Sequence, residues 1–528
     1  MSVRTPVTRL VAALAATATT IGLAAASPIG AAAGSASPDA PRATTAGGGV
    51  LERYLEDTWR SFEAMEEPSS GLPVDNIAGD LSPGSRSEYT SPTNIGAYLW
   101  STVAARDTGL IGPNEARKRM TETIKTVARL ERHEASGMFY NWYDPVTLEK
   151  LYVWPDNGNQ VKPFLSSVDN GWLATGLLLA ARAEPKVAKR ADAIRKDMNF
   201  GCYYNPAENQ IRGGFWDEDP KEAAAVTGDY CEMGKDVWYT GHHYGAFNTE
   251  PRMASYLGIA AGQIPAKHYF GTFRTFPNEN CDWDWTETKP VGSWAEHEGV
   301  RVFEGALPYR GMKIVPTWGG SMFEALMVPL FVPEETWGTR SWGRNHPLYV
   351  QGQIEHGMDE AEYGYWGFSP SNNPAGGYRE YGVDMLGLDG GNSETGGYTS
   401  DQERTHWNQP YEGCRAGEPA PTSYGDGVVT PHASFLALRY KRQAALENLA
   451  NIRADFDAYG PGGFYDAVAV RSGTVSKRYL SLDQGMIMAA LGNALARDDM
   501  RRYVSHGAVE REIRPLMRQE VFATEGRP

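Results

Sequence analysis

The feature that most limits what this chain can become is an apolar period of three to four residues that keeps returning between long unpatterned connections. Leu51, Leu55, Trp59 and Phe62 form one apolar helix face. Ile95, Leu99 and Val103 repeat the step, and Gly109 supplies a C-terminal stop. Pro113 opens another helix whose face carries Met120, Ile124, Val127 and Leu130. Similar patterns at 167–183, 185–199, 247–261, 320–331, 340–356, 430–441, 442–454, 481–497 and 499–509 bring the count to about twelve helices. Between them lie segments 134–166, 200–246, 262–318 and 357–429, rich in Gly, Pro and aromatic residues. Connections that long usually carry function in compact proteins. No fixed-period repeat is visible, which argues against a solenoid. The length allows one large or up to three ordinary domains, but no composition break divides residues 49–528. The expectation is a single all-α domain with long loops, some holding short strands.

The first residues read as an address. Arg4 and Arg9 precede an apolar run, Leu10 to Ala26, and small residues follow at Ala31, Ala32 and Ala33. Residues 1–33 therefore have the form of a secretory signal, too short and weakly apolar to span a bilayer. Cleavage after Ala26 and after Ala33 fit equally. Residues 34–48 continue as a flexible leader. The mature protein is expected to be secreted, without a membrane span. Its formal charge moves from −15 to −17 when Arg4 and Arg9 are removed, which argues against nucleic acid and anionic membranes as partners. Four cysteines in an exported chain point to two disulfides with three possible pairings; Cys202–Cys231 and Cys281–Cys414 are the expected ones. A zinc site is the alternative, but no C-x-x-C or H-x-x-x-H spacing supports it.

Aromatic usage narrows the ligand. Trp (15) and Tyr (27) together outnumber Phe (17), whereas an ordinary aromatic core would favour Phe. They cluster in loops at Met138–Tyr143 (MFYNWY), Cys281–Trp285 (CDWDW) and Tyr363–Phe368 (YGYWGF). A flat apolar face with a polar edge suits a sugar ring, so Trp142, Tyr143, Tyr365 and Trp366 are candidate sugar contacts.

Acids in apolar company supply candidate chemistry. In Trp318–Glu324 (WGGSMFE), two glycines and a serine turn into an apolar segment, with Glu324 in its first turn near Trp318 and Phe323. Apolar surroundings disfavour the ionised carboxyl and raise its pKa, so it can keep a proton for a leaving group. The plain alternative is an acid placed by the helix dipole. Asp169 stands with Asn170 in Ser167–Trp172 (SVDNGW), where an N-cap role is as reasonable. Glu250 closes Gly241–Glu250 (GHHYGAFNTE) behind His243 and Asn248, with Asn248 or Thr249 as the expected cap. Glu360 and Glu362 lie in Gly357–Tyr365 (GMDEAEYGY), and Asp483 and Gln484 in Tyr479–Gly485 (YLSLDQG). Acids recurring at helix starts would ring a cleft. Glycoside hydrolysis needs two carboxyl groups facing across a linkage. No G-x-S-x-G elbow, P-loop or dinucleotide glycine pattern is present. His242 and His243 are adjacent, which does not easily place both rings on one metal ion, so no metal or other cofactor is expected.

The ordered series WGGSMFEALM, GMDEAEYGYWGFSPSNNP, YREYGVD (Tyr378–Asp384), TPHASFLAL (Thr430–Leu438), GGFYDAV (Gly462–Val468) and YLSLDQGMI resembles the glycoamylase-like family. That family includes bacterial endo-β-1,2-glucanases and the transglycosylating domain of cyclic β-1,2-glucan synthases. SPTNIGAYL (Ser91–Leu99) and MFYNWYDP (Met138–Pro145) are similar to its N-terminal part, so the resemblance spans most of residues 50–510. It implies an (α/α)6 toroid and cleavage or transfer of a β-linked glucan without a cofactor. By position, Glu250 and Glu324 take the places of the family's paired acids, with Asp169 and Glu360 in support. Trp318, Tyr381 and Asp483 join the implied substrate contacts. Ser166 stands where the glucanases carry Asp, a synthase-like trait, whereas Asp483 is the glucanase-like form. Transglycosylation, hydrolysis of an arabinan or α-glucan, and a carbohydrate-binding protein without chemistry remain alternatives.

Overall fold

The computed structural model describes residues 49–279, 286–388, 401–403, 421 and 423–527. The signal, the leader, Cys281 and Cys414 lie outside the described residues. Fourteen α-helices occur among those described: α1 Val50–Met65, α2 Pro92–Asp107, α3 Pro113–Val127, α4 Ser167–Ala183, α5 Pro185–Asp197, α6 Arg252–Ala260, α7 Met322–Leu326, α8 Glu334–Trp337, α9 Trp342–Glu355, α10 Pro431–Ala437, α11 Arg442–Asp455, α12 Ser481–Leu495, α13 Asp499–Ser505 and α14 Ala508–Gln519. Helices α2, α4, α6, α7, α10 and α12 are buried on nearly all sides. A helix apolar all round must be enclosed by others. They pack in succession, α12 on α2, α2 on α4, α4 on α6, α7 on α10 and α10 on α12. The amphipathic helices α3, α5, α9 and α11 pack outside α2, α4, α7 and α10, and α14 covers α6.

Close approach needs small residues. Gly96 and Gly176 meet where α2 crosses α4; a Cβ on Gly176 would lie 2.6 Å from the Gly96 Cα. The α1 face read from sequence (Leu51, Leu55, Trp59, Phe62) is buried as expected, and α4 coincides with its predicted range.

Two segments read as loops are sheets. Phe164–Ser166, Gly214–Trp216, Val237–Tyr239 and Val226–Gly228 form a four-stranded antiparallel sheet. Val291–His297, Val300–Tyr309 and Met312–Ile314 form a three-stranded one. The chain is helix-rich with decorating β-structure, so the all-α expectation holds for the framework only. Three turns of one form hydrogen-bond His133 with Met138, Asp144 with Glu149 and Trp154 with Asn159, at spacings of 11 and 10 residues that make no fixed period. Each needs a left-handed residue at the same place: Gly137 (φ 69°), Leu148 (φ 68°) and Gly158 (φ 72°). Only their backbone form recurs, which hid them from a reading of side chains. Cys202 and Cys231 form the expected disulfide, pinning the start of the strand-rich segment 204–239 to its interior.

Candidate active site

The WGGS turn places the first acid. Gly319 and Gly320 both take positive φ, 66° and 74°. A Cβ on Gly320 would lie 1.9 Å from the Val383 carbonyl oxygen. This is where the chain can turn sharply and leave Ser321 to cap α7. The Ser321 hydroxyl accepts from the Glu324 N–H at 3.2 Å, the standard N-cap arrangement. Helix α7 lasts five residues, and its last carbonyls are not left to water. Arg252 donates to Glu324 O (2.9 Å) and Ala325 O (2.7 Å), satisfying groups a helix end leaves orphaned.

The same arginine places the second acid. Glu250 sits just before α6, whose N-cap is Pro251, so the expected Asn248 or Thr249 cap is not used. Thr249 donates its hydroxyl to Ala246 O instead. Arg252 Nη1 also donates to Thr249 O at 2.7 Å. One guanidinium thus ties the backbone before Glu250 to the backbone at Glu324. The Glu250 N–H donates to Glu324 Oε2 at 2.8 Å, and Trp172 Nε1 donates to Glu250 Oε2. Two residues 74 apart in sequence are in direct contact. Burial, then the neighbouring charge of Glu324, pushes the Glu250 carboxyl well above the ordinary range, which Trp172 only partly offsets.

Arg252 is held by Glu334, through Nε to Oε1 at 2.8 Å and Nη2 to Oε2 at 3.0 Å. Tyr256 and His346 complete the Glu334 shell at 2.8 and 3.0 Å. Burial would raise the Glu334 pKa, but Arg252 and His346 hold it down at about 2. Neither Arg252 nor Glu334 stands out in the sequence; one neighbours Glu250, the other sits in a Val-Pro-Glu-Glu run.

Asp169 joins the pair. Ser166, not Asp169, caps α4, its hydroxyl accepting from the Asp169 N–H at 3.2 Å. The Asp169 carboxyl is free to accept from Thr93 Oγ1 at 2.6 Å. The Asn141 amide, oriented to satisfy both neighbours, donates to Asp169 Oδ2 at 2.7 Å and accepts from Trp142 Nε1 at 3.2 Å. Burial raises the Asp169 pKa despite these donors. Trp142 stays half-buried, edge-on to Tyr89 and Trp154 at 5.4 and 5.2 Å. The Tyr244 phenol is pushed up by burial and by the charges of Glu250, Asp169, Glu324 and Glu380 together, so four carboxyl groups act on one phenol. The Tyr378 phenol responds to burial, then to Asp483, Glu380, Asp466 and Glu250. Glu380, Asp466 and Asp75, whose charge reaches both Asp169 and Asp483, do not stand out as site residues in the sequence. Glu380 lies inside YREYGVD and Asp466 inside GGFYDAV, whereas Asp75 is an isolated acid in a loop.

Most other expected site residues are engaged in contacts of their own. Glu360 is engaged by Tyr309 OH (2.6 Å) and His356 Nδ1 (2.7 Å), with His356 Nε2 reaching Asp401 at 2.8 Å. Those partners, after the opposing effect of burial, lower its pKa, the reverse of an acid kept protonated. Tyr143 is 0% exposed; its hydroxyl donates to Glu131 O and accepts from the Tyr140 N–H, so it is core and not a sugar contact. Asn170 is spent on Phe139 and Ser166 backbone. Asn248 Nδ2 is buried on Val315 O. Trp366 is buried with its backbone clasped by Asn448, and Tyr365 donates outward to Asp455. Tyr381 is nearly buried. Gln484 is buried against Phe464 O, and Asp483 is 2% exposed, turned toward Asp466. His243 pairs with Asn205 Nδ2 at 3.0 Å, and burial drives its pKa down to about 3. Trp318 remains half-buried beside the glycine turn.

Known proteins share parts of this sequence and its fold. Residues 288–503 match the glycoamylase family model, described as a putative glucoamylase, and residues 53–228 match a protein family of unknown function (DUF3131). The chain is similar to the glycoamylase-like family, as its motifs imply. It is 25% identical, over 89% of its length, to the cyclic β-(1,2)-glucan synthase NdvB of Rhizobium meliloti, and corresponds to 18% of that protein. The endo-β-1,2-glucanase of Chitinophaga pinensis, solved with sophorotriose and glucose, superposes with a TM-score of 0.58 at 17% identity, covering 88% of this chain and 97% of that one. The β-1,2-glucanase of Parabacteroides distasonis gives a TM-score of 0.63 at 15% identity, over 88% and 59%. At such identities the likeness is one of fold. Among the described residues no helix is long and apolar enough to cross a membrane.

Proposed function

We propose that this protein is an exported glycoside hydrolase that cleaves a β-glucan, β-1,2-linked, in a cleft at one mouth of an (α/α)6 ring. The inner ring would be α2, α4, α6, α7, α10 and α12. The observation carrying this reading is the joined pair: Glu324 accepts the Glu250 N–H while burial and the Glu324 charge push the Glu250 carboxyl well above the ordinary range. Glu250 is the general acid, donating its proton to the glycosidic oxygen as the bond breaks. Glu324, held as acceptor, is the second carboxylate and stabilises positive charge developing at the sugar. Asp169, fixed by Thr93 and Asn141, orients water or substrate, and Trp142 offers a ring face beside it.

The relatives' substrates support the linkage: the synthase acts in β-1,2-glucan chemistry, and the superposed enzymes are β-1,2-glucanases. The test is incubation of purified protein with β-1,2-glucan and a panel of other polysaccharides, with products read by mass spectrometry. β-1,2-linked oligosaccharides are expected. Cleavage of another glycan only, or no cleavage, overturns the assignment. The likeness to a synthase makes transglycosylation the second reading, and cyclic or lengthened products would favour it.

A further inference from the structure

Two carboxyl groups beside Tyr378 have no part in this scheme. Asp466 and Asp483 are each 2% exposed. Asp466 Oδ2 accepts from the Asn372 N–H at 2.6 Å. Asp466 Oδ1 and Asp483 Oδ2 have no donor, although the two side chains are within hydrogen-bonding reach of each other. Two facing acceptors need a proton or a cation between them. His432 comes nearest, Nδ1 to Asp483 Oδ2 at 3.5 Å. That nitrogen lies 2.8 Å from Thr430 Oγ1, and Nε2 lies 2.9 Å from Ser369 Oγ. Burial holds the ring's pKa at about 4, leaving it neutral. The other groups facing the pair are Asp75, a third acid, and the Tyr378 phenol. Arg478 is spent on Asn76 and acts on Asp75. Among the described residues no lysine or arginine pairs with either carboxyl. Two buried carboxylates without a cation cannot both stay ionised.

Asn372 gives the pair something to hold. Ser371–Asn372 pairs with Tyr378–Arg379 as a hairpin, closed by Asn373 N–H to Gly377 O at 2.7 Å. Its second strand carries Tyr378 and leads into Glu380. Tyr378 keeps 39% of its surface exposed, so this hairpin overhangs the acid group and does not pack into the core.

We propose that Asp466 and Asp483 share one proton and, as that pair, anchor the 371–379 hairpin above the acid group, making both positioning residues for Tyr378 and Glu380. The Asp466 hydroxyl donates to the Asp483 carboxylate while its other oxygen keeps the Asn372 N–H. Loss of the proton sets two anions face to face and loosens the hairpin. Asp466 is the proton-bearing member: burial and the Asp483 charge push its carboxyl well above the ordinary range, whereas Asp483 is raised to about 7. Above about 7 Asp483 is the carboxylate that accepts the Asp466 hydroxyl, and the shared proton, which a free Asp has lost, goes only as the pH rises further into the alkaline range. What the hairpin does for catalysis rests on the glucan-hydrolase reading; the shared proton does not.

The test compares Asp466→Asn and Asp466→Ala with the natural chain. Asparagine offers an amide N–H to Asp483 and a carbonyl to Asn372, with nothing to titrate; alanine offers neither. Infrared difference spectra between neutral and alkaline pH should show loss of a protonated-carboxyl C=O band in the natural protein that Asp466→Asn lacks. On β-1,2-glucan, KM of the natural enzyme should rise as the pH climbs above 7, while that of Asp466→Asn stays flat there. Asp466→Ala should lose roughly ten- to a hundredfold in kcat/KM, most of it recovered in Asp466→Asn. Absence of the band, a KM rise unchanged in Asp466→Asn, or equal damage from both variants would overturn the proposal. If alanine prevents folding, the asparagine comparison and the band decide. If the natural protein cleaves no glucan, the enzymatic reading fails while the band still tests the pair.

Discussion

Replacing Arg252 by Met should separate the two jobs of the bracket that joins Glu250 to Glu324. The substitution keeps much of the volume and removes five donated hydrogen bonds, to Thr249 O, Glu324 O, Ala325 O and both Glu334 oxygens. The ion pair is buried, with side-chain exposures of 3% and 0%. Removing one member of such a pair costs about 3–5 kcal/mol, because the other charge is left without its partner. Tyr256 and His346 still reach Glu334, which places the expectation near about 3 kcal/mol, read by urea unfolding. The pH dependence has a definite sign. Glu334 is held down at about 2 from 4.5, so its contribution is present above pH 4.5 and lost as the pH falls toward 2. Arg252→Met should flatten that acid-side loss. Catalysis should suffer separately, since Thr249 and Glu324 are no longer tied; a displacement of about 1 Å costs about a hundredfold in kcat/KM. Arg252→Met/Glu334→Leu removes both charges and should regain most of the stability but not the activity. An Arg252→Met enzyme within about threefold of natural kcat/KM, or less than about 1 kcal/mol destabilised, would refute the bracket.

Trp172→Phe removes the donor that partly offsets the raised Glu250 pKa; the alkaline limb of kcat should move to higher pH, and an unmoved or lowered limb would remove Glu250 from the acid role. Gly320→Ala forces an L side chain into φ 74° and a Cβ 1.9 Å from Val383 O, so a loss of about 3 kcal/mol or more is expected by urea unfolding, against a tolerated substitution if the turn is not needed. Reducing Cys202–Cys231, which closes a loop of sequence separation 29, should cost about 2–4 kcal/mol, seen as a lower melting temperature with dithiothreitol; no shift would mean the loop is held by its sheet alone.

Much of the framework was legible because burial leaves a period in the sequence. The apolar face of α1 and the whole of α4 are examples. The WGGSMFE turn was legible for a stricter reason: two adjacent positive-φ residues and a Ser cap leave the next residues little choice but a helix start. Arg252 and Glu334 were not, since their meaning lies in a contact 82 residues apart. Tyr143, Asn170 and Trp366 misled because the aromatic and amide groups that suit a sugar also suit buried backbone. The contacts of Glu360 with Tyr309 and His356 could not be read from local sequence, one partner being 51 residues away. The sheets at 291–314 escaped because their alternation is broken by Gly292, Gly305 and Pro308.

In the proposed mechanism Glu250 and Glu324 act together on one glycosidic bond. The most direct measurement of this is the pH profile of kcat/KM on β-1,2-glucan for the natural enzyme, Glu250→Gln and Glu324→Gln. Each variant should lose at least about a hundredfold, and Glu250→Gln should lose the alkaline limb that reports its proton. Near-natural turnover in either variant would contradict the account.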